Sequence, residues 1–239
     1  MRGILLIGLI FFVKSISGQI NLNQLKTAAS KAKKVVTSAD LSEEEVVKGL
    51  KEALTIGAIN ASTRAAYKGG FNNNLLIKIP FPKDAKNMKK TLVNLGMGSQ
   101  IDKFEYVLNS AAEDASNFAK DIFVNAVRNI TIHEAMSILK GDKNDATNYL
   151  KNHTSKELYV KFFPVIKQSI QKVNLTKYWS VLASKYNMMP LTKELNTNLE
   201  DYVTNQTIKG LFILIAEEEK SIREDPEARV SDILRKVFK

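Results

Sequence analysis

The stretch "NSAAEDASNFAKDIFVNAVRN" (109–129) sets an amide and a carboxylate, Asn109 and Glu113, one helical turn apart in a run otherwise rich in alanine. On a helical wheel Phe104, Leu108, Ala111, Ala115, Phe118 and Ile122 make an apolar stripe, and Ser110, Asp114, Asn117, Asp121 and Arg128 make a polar one. Glu113 belongs to neither. It lies on a flank with Asn109 and Lys120, where a neighbouring helix is expected to cover it. A covered carboxylate must be paired, hydrogen-bonded or protonated, because an unpaired ion in low dielectric costs several kcal/mol. Asn109 can donate through its amide, and Lys120 or an arginine from another helix can supply charge.

A second constellation lies in "LFILIAEEEKSIREDPEAR" (211–229). Glu219 sits at the edge of an apolar face made by Ile208, Leu211, Ile215 and Ile222. Arg223 follows one turn later, in the favourable acid-then-base order. Arg229, just after the Asp225-Pro226 turn, is placed to reach back to the same acids. As chemistry, Glu113 and a second acid near arginine are the general acid and base of a hydrolase. As structure, the acids and arginines of 211–229 are an ion-pair network that fixes the angle between the last two helices, and the structural reading is preferred.

Other chemistries lack their residues. The chain has no cysteine and only two histidines, His133 and His153, and "HEAMS" lacks the second histidine of a metalloprotease helix, so no metal is expected. "LGMGSQ" places Gly96 and Gly98 before Ser99, which reads better as a turn and cap than as an anion site. No Walker loop, dinucleotide fingerprint or Gly-x-Ser-x-Gly elbow occurs, and no cofactor is expected.

The elements that must position these groups are helices. Ser42 with Glu45, Ser99 with Asp102, Thr131 with Glu134, and Thr154 with Glu157 have the spacing of capping boxes, and Asp225-Pro226 marks another start. The pattern predicts helices near 21–37, 42–67, 82–95, 99–129, 131–140, 143–152, 154–173, 175–187, 192–223 and 226–238. The exception is "GGFNNNLLIKIPFP" (69–82), whose glycines, asparagines and prolines break helix and leave room for one short β element at 75–79. In helix 42–67, Gly49, Ala53, Gly57, Ala61 and Ala65 recur every four residues; such a ridge of small side chains lets a backbone come close. Helix 99–129 offers a matching row in Ala111, Ala115 and Ala119. The expected fold is therefore all-α, a compact multi-helix domain over 42–239 with helices 42–67 and 99–129 as its central pair.

The ends carry location signals. Residues 1–18 have a cationic start at Arg2, an apolar run from Ile4 to Val13 and small residues after it, as a secretory signal peptide does. Without cysteine the exported chain is not a lipoprotein and has no disulfides, so a soluble periplasmic or extracellular protein is expected. Losing Arg2 and Lys14 takes the formal charge from +10 to +8. Residues 19–41 form a basic amphipathic arm in which Leu22, Leu25 and Val36 are ringed by lysines, giving weak contact with an anionic membrane surface through 21–37 as one reading and docking on its own domain as the preferred one. No specific nucleic-acid partner is implied.

Several motifs, "GLKEAL" (49–54), "NSAAEDA" (109–115), "DATNYL" (145–150), "FFPVI" (162–166), "DYV" (201–203), "GLFILIAEEEKSIR" (210–223) and "DPEARVSDILRKVF" (225–238), occur in an order that resembles the bacterial family of exported proteins known as domain of unknown function 4197. The likeness covers roughly residues 42 to 238. It implies an envelope or secreted location and a single helical domain, and it brings no activity. It aligns Asn109, Glu113, Thr147, Tyr149, Glu219, Arg223 and Arg229 with the polar positions of the family's motifs, as a structural or ligand-facing cluster. The family pattern often places an arginine where this chain has Ser110. The resulting expectation is a non-enzymatic, exported module that binds an envelope partner or a small, partly apolar ligand, with the hydrolase as the alternative.

Overall fold

Helix α1 (Glu43–Ala66) starts where its sequence requires: the Ser42 hydroxyl accepts from the Glu45 amide, and the Glu45 carboxylate accepts from the Ser42 amide. The computed structural model describes residues 41–82, 85–94, 96–172, 179, 184, 188, 198–229 and 231–237. The expected signal peptide and the arm up to residue 40 lie outside the described residues, as does the expected helix 175–187 apart from Trp179 and Ser184. After α1 come α2 (Lys86–Asn94), α3 (Gly98–Ser116), α4 (Ala119–Arg128), α5 (Ile132–Lys140), α6 (Asp145–Lys172), α7 (Leu199–Glu224), a 3-10 turn (Pro226–Ala228) and α8 (Asp232–Val237). The described residues contain no strand, so the domain is all-α and the expected β element at 75–79 is instead a chain of turns. None of the described helices is long and apolar enough to cross a membrane.

Helix α1 is the hub and packs on α3, α4, α5, α7 and α8. The expected central pair therefore forms, with a difference in what its small residues meet. A Cβ on Gly49 would lie 2.8 Å from Val237 Cγ2, and one on Gly57 would lie 3.2 Å from Glu218 Cβ. The glycines of the ridge thus admit α8 and α7. Ala53, Ala58, Ala61 and Ala65 on α1 and Ala111, Ala112, Ala115 and Ala119 on α3 and α4 are all buried. Near one end of α3, Phe81, Phe104 and Trp179 form an aromatic triad with ring centroids 5.1 to 5.5 Å apart.

The expected helix 226–238 is a 3-10 turn followed by the separate helix α8, and three further differences from the sequence expectation each have a side-chain reason. Helix 99–129 is two helices. The Ser116 hydroxyl donates back to the Ala112 carbonyl at 2.7 Å and the Asn117 side-chain Nδ2 to the Asp114 carbonyl at 3.1 Å, while the Phe118 main-chain amide bonds the Ala115 carbonyl, three residues back. This competition for carbonyls tightens and breaks the ladder. Phe118, assigned above to the apolar stripe, is 48% exposed at that break. Conversely, the helices expected at 143–152 and 154–173 are one. Thr154 caps nothing: it is buried within α6 and its hydroxyl donates to the Leu150 carbonyl at 2.6 Å. The box at Ser99 is also unused, because α3 already begins at Gly98 and the Ser99 hydroxyl turns to the Gln100 side chain.

Candidate functional site

The segment joining α1 to α2 crosses α3 as a strap, and its path is set by glycine. Gly69 has φ +90°, and a Cβ on Gly70 would fall 2.2 Å from the Arg64 carbonyl oxygen. The strap then sends Phe71, Ile77, Ile79 and Phe81 into the core. Gly210 of α7 makes room for it: a Cβ there would lie 2.7 Å from Phe71 Cε1. A strap with apolar side chains turned inward carries its main-chain amides inward too, and in the absence of a strand partner those amides need acceptors.

Helix α3 supplies them from one row of side chains spaced four residues apart. Glu113 Oε1 accepts from the Phe71 amide (3.1 Å), the Asn72 amide (3.0 Å) and the Asn72 side chain (3.3 Å). Asn109 pairs with Ile79 as a neighbouring strand would: its Oδ1 accepts from the Ile79 amide at 2.7 Å and its Nδ2 donates to the Ile79 carbonyl at 2.9 Å. Glu105 accepts from the Phe81 amide at 3.1 Å and from the Lys89 ammonium of α2. The Tyr202 hydroxyl of α7 donates to the Pro80 carbonyl at 3.0 Å. Asn109 is 0% and Glu113 6% exposed, so these acceptors sit where water cannot replace them.

The burial expected for Glu113 is therefore present, with different partners. The cover is the strap, not a helix, and the carboxylate engages main-chain amides rather than Lys120 or an arginine. Ser110, where the family pattern often has arginine, accepts from the Asn72 side chain at 3.3 Å. Glu105 and Tyr202 escaped the sequence reading. Glu105 had a usable signal, since it continues the 113, 109 row by one more turn. Tyr202 had none, because its partner is a carbonyl remote in sequence.

A second cluster forms around Glu219, which is also 6% exposed. Its carboxylate accepts five hydrogen bonds: from the Ala146 amide (3.1 Å), the Thr147 amide (2.9 Å) and hydroxyl (2.7 Å), and Arg223 Nε (3.1 Å) and Nη2 (3.0 Å). The two amides belong to the first turn of α6, so Glu219 caps a helix from another element. Arg223 Nη2 also donates to the Ile138 carbonyl near the end of α5, at 3.0 Å. The network thus ties α7 to the α5–α6 junction, rather than setting the angle between the last two helices. Arg229 does not reach the acids. It closes α7 by donating to the Ile222 and Arg223 carbonyls. Beside Glu219 a cavity of about 10 Å³, lined by Leu50, Ala53, Leu54, Ala146, Ile222 and Arg223, has room for no more than about one water.

Tyr149 stands apart from both clusters. Its ring stacks on His153 with centroids 4.0 Å apart. Burial, then the charge of Glu134 and a hydrogen bond to it, push its phenol above the usual tyrosine range. Glu134 itself is held below the usual carboxylate range by the Thr131 hydroxyl and amide that it caps. The seven residues singled out in the sequence therefore fall into three places: Asn109 and Glu113 under the strap; Thr147, Glu219, Arg223 and Arg229 at the helix junctions; and Tyr149 against His153. Among the described residues no three His, Asp or Glu side chains gather as metal ligands.

One open cleft of about 270 Å³ adjoins the strap, lined by Asn72, Asn73, Lys78, Asp102, Glu105 and Tyr106. Residues 40–239 match the family described as "Protein of unknown function (DUF4197)", and the chain belongs to that family. No curated protein and no solved structure matches it.

Proposed function

We propose that this member of the DUF4197 family is a non-enzymatic binding module of the bacterial cell envelope, exported to the periplasm or beyond, where it holds a partner or a small, partly apolar ligand. The observation that carries this reading is the use made of the two buried acids. Glu113 accepts main-chain amides of the strap through Oε1, and Glu219 accepts the amides of α6 through both oxygens and adds an arginine. A hydrolase built on Glu113 and a second acid near arginine needs both carboxylates on one cleft, each with an oxygen free to exchange a proton. Here the two acids serve different joints, and neither lines the open cleft beside the strap. What the clusters accomplish is to hold a surface still. A binding surface held rigid in advance gains affinity because less ordering has to accompany association.

The test is native mass spectrometry of the protein purified from the envelope fraction of its native host. A chain lacking residues 1–18 and carrying a retained small molecule or protein partner is the expected result. Full-length protein recovered from the cytoplasm with Met1 still attached would overturn the envelope assignment, and loss of the bound species on Glu113→Gln with fold intact would return Glu113 to the ligand site.

A further inference from the structure

The cleft between the strap and α3 holds two opposite charges that the fold does not use. Lys78 and Asp102 both line it, and among the described residues neither makes an ion pair or a side-chain hydrogen bond. Glu105, the third charged group, is already occupied by Lys89 and the Phe81 amide. Between the lining residues Asn73 and Lys78 the chain turns through Leu75 and Leu76, which are 90% and 61% exposed. This turn is held in place. The Leu76 amide donates to Asn74 Oδ1 at 3.0 Å, and the Ile77 and Lys78 amides donate to the Asn74 carbonyl at 3.2 and 2.8 Å. Ile77 and Ile79 anchor the turn from below, and Asn109 grips the main chain of Ile79. The leucines are thus pushed outward by a braced turn whose own apolar residues point the other way.

We propose that this tip and cleft are a docking surface for a phospholipid bilayer whose headgroups carry both a phosphate and an ammonium group. It rests on the binding-module reading and names the partner. Two leucines on a turn offer much less than the roughly 800 Å² per partner that a stable protein interface buries. A bilayer asks less: apolar side chains need only enter the boundary between headgroups and acyl chains, with electrostatic contacts adding to them. The charges fit such a headgroup at both ends. The Lys78 ammonium and the Asn73 amide can donate to phosphate oxygens, while the Asp102 carboxylate accepts from a headgroup ammonium. A purely anionic headgroup would leave Asp102 facing its negative charge. Tyr106, 53% exposed on the cleft wall, is suited to the interface, with an apolar ring and a polar tip.

The test is vesicle co-sedimentation of the protein purified from its native host, with Leu75→Ser/Leu76→Ser and Asp102→Asn variants. The vesicles are phosphatidylcholine alone, phosphatidylcholine with phosphatidylethanolamine, and phosphatidylcholine with phosphatidylglycerol. Wild type is expected to sediment best with the ethanolamine lipid. The double serine variant, changed only at exposed positions and checked by its melting curve, should lose at least about tenfold in partitioning. Asp102→Asn should lose the preference for ethanolamine over glycerol headgroups while keeping the leucine contribution. Undiminished binding by the double variant overturns the proposal and moves any lipid contact to another segment such as 21–37. Soluble glycerophosphoethanolamine bound by wild type with no sedimentation on any vesicle also overturns it, since the cleft would then serve a free solute. Wild type that ignores every vesicle yet retains a soluble ligand in native mass spectrometry refutes the docking surface and leaves the binding module standing.

Discussion

Glu219 and Arg223 stand one turn apart on α7 and serve opposite ends of two other helices: the acid receives the first amides of α6, and the base donates to the Ile138 carbonyl near the end of α5. Each charge lies at the helix end whose partial charge is opposite to its own. The two are also bonded to each other at 3.0 Å, so neither is left unpaired by burial. Removing one member should therefore cost more than the pair contributes. Arg223→Ala is expected to destabilise by about 3 kcal/mol or more, because it leaves Glu219 buried with less compensation. Glu219→Gln, which keeps shape and some hydrogen bonds, should cost on the order of 1 to 3 kcal/mol. Urea melts of both variants decide this; equal and small losses would mean that the junction is held by packing alone.

For the strap, Glu113→Gln should cost on the order of 1 to 3 kcal/mol, since a neutral amide replaces a charged acceptor of two main-chain amides. Glu113→Ala should cost more, as it orphans the Phe71 and Asn72 amides and opens space. Hydrogen exchange at these two amides is the local readout, and it should quicken before the rest of the domain. Urea midpoints that stay put or rise in both variants would count against the structural role.

Gly210 tests the packing of the same strap from its other side. Gly210→Ala improves helix propensity by roughly 1 kcal/mol in an exposed helix. Here the new methyl meets Phe71 at 2.7 Å, and overpacking of that kind costs about 1 to 3 kcal/mol. A net loss of stability is expected, with exchange at Ile77 and Ile79 quickened. A variant more stable than wild type would show that Phe71 can give way.

Tyr149 predicts a pH dependence. Burial and Glu134 raise its ionisation above the unfolded value of 10.0, so the folded state favours the protonated phenol. The resulting stability is present in full below pH 10 and is lost as the pH rises through the folded value. Tyr149→Phe should flatten the alkaline arm of the stability profile, and ultraviolet titration should lose a phenol that ionises above the usual tyrosine range. An unchanged alkaline arm in Tyr149→Phe would assign that loss to other groups, among them Tyr159, whose hydrogen bond to Asp201 also raises its phenol.

The helical class, the packing of α1 on the 99–129 segment and the boxes at Ser42 and Thr131 were readable because they rest on local spacing. The break at Asn117 and the continuity through Thr154 were not. In both, the outcome depends on which carbonyl a short polar side chain chooses, and the same residue types can cap, kink or ride along a helix. At the candidate sites the sequence identified polar groups on covered faces, Asn109, Glu113 and Glu219 among them. It could not name their partners, because those are main-chain amides, which every residue carries and no letter of the sequence distinguishes.

That anonymity of the main chain has an evolutionary corollary for the strap. Helix α3 holds it through the amides of Phe71, Asn72, Ile79 and Phe81 and the carbonyl of Ile79, groups that remain when the outward side chains change. The grip is blind to what the turn displays. Residues 73, 75, 76 and 78 can therefore vary in size, charge or greasiness while the fold beneath them stays put, much as an interchangeable tool head varies on one handle. Divergent members of such a scaffold could acquire new ligands by rewriting the exposed tip alone.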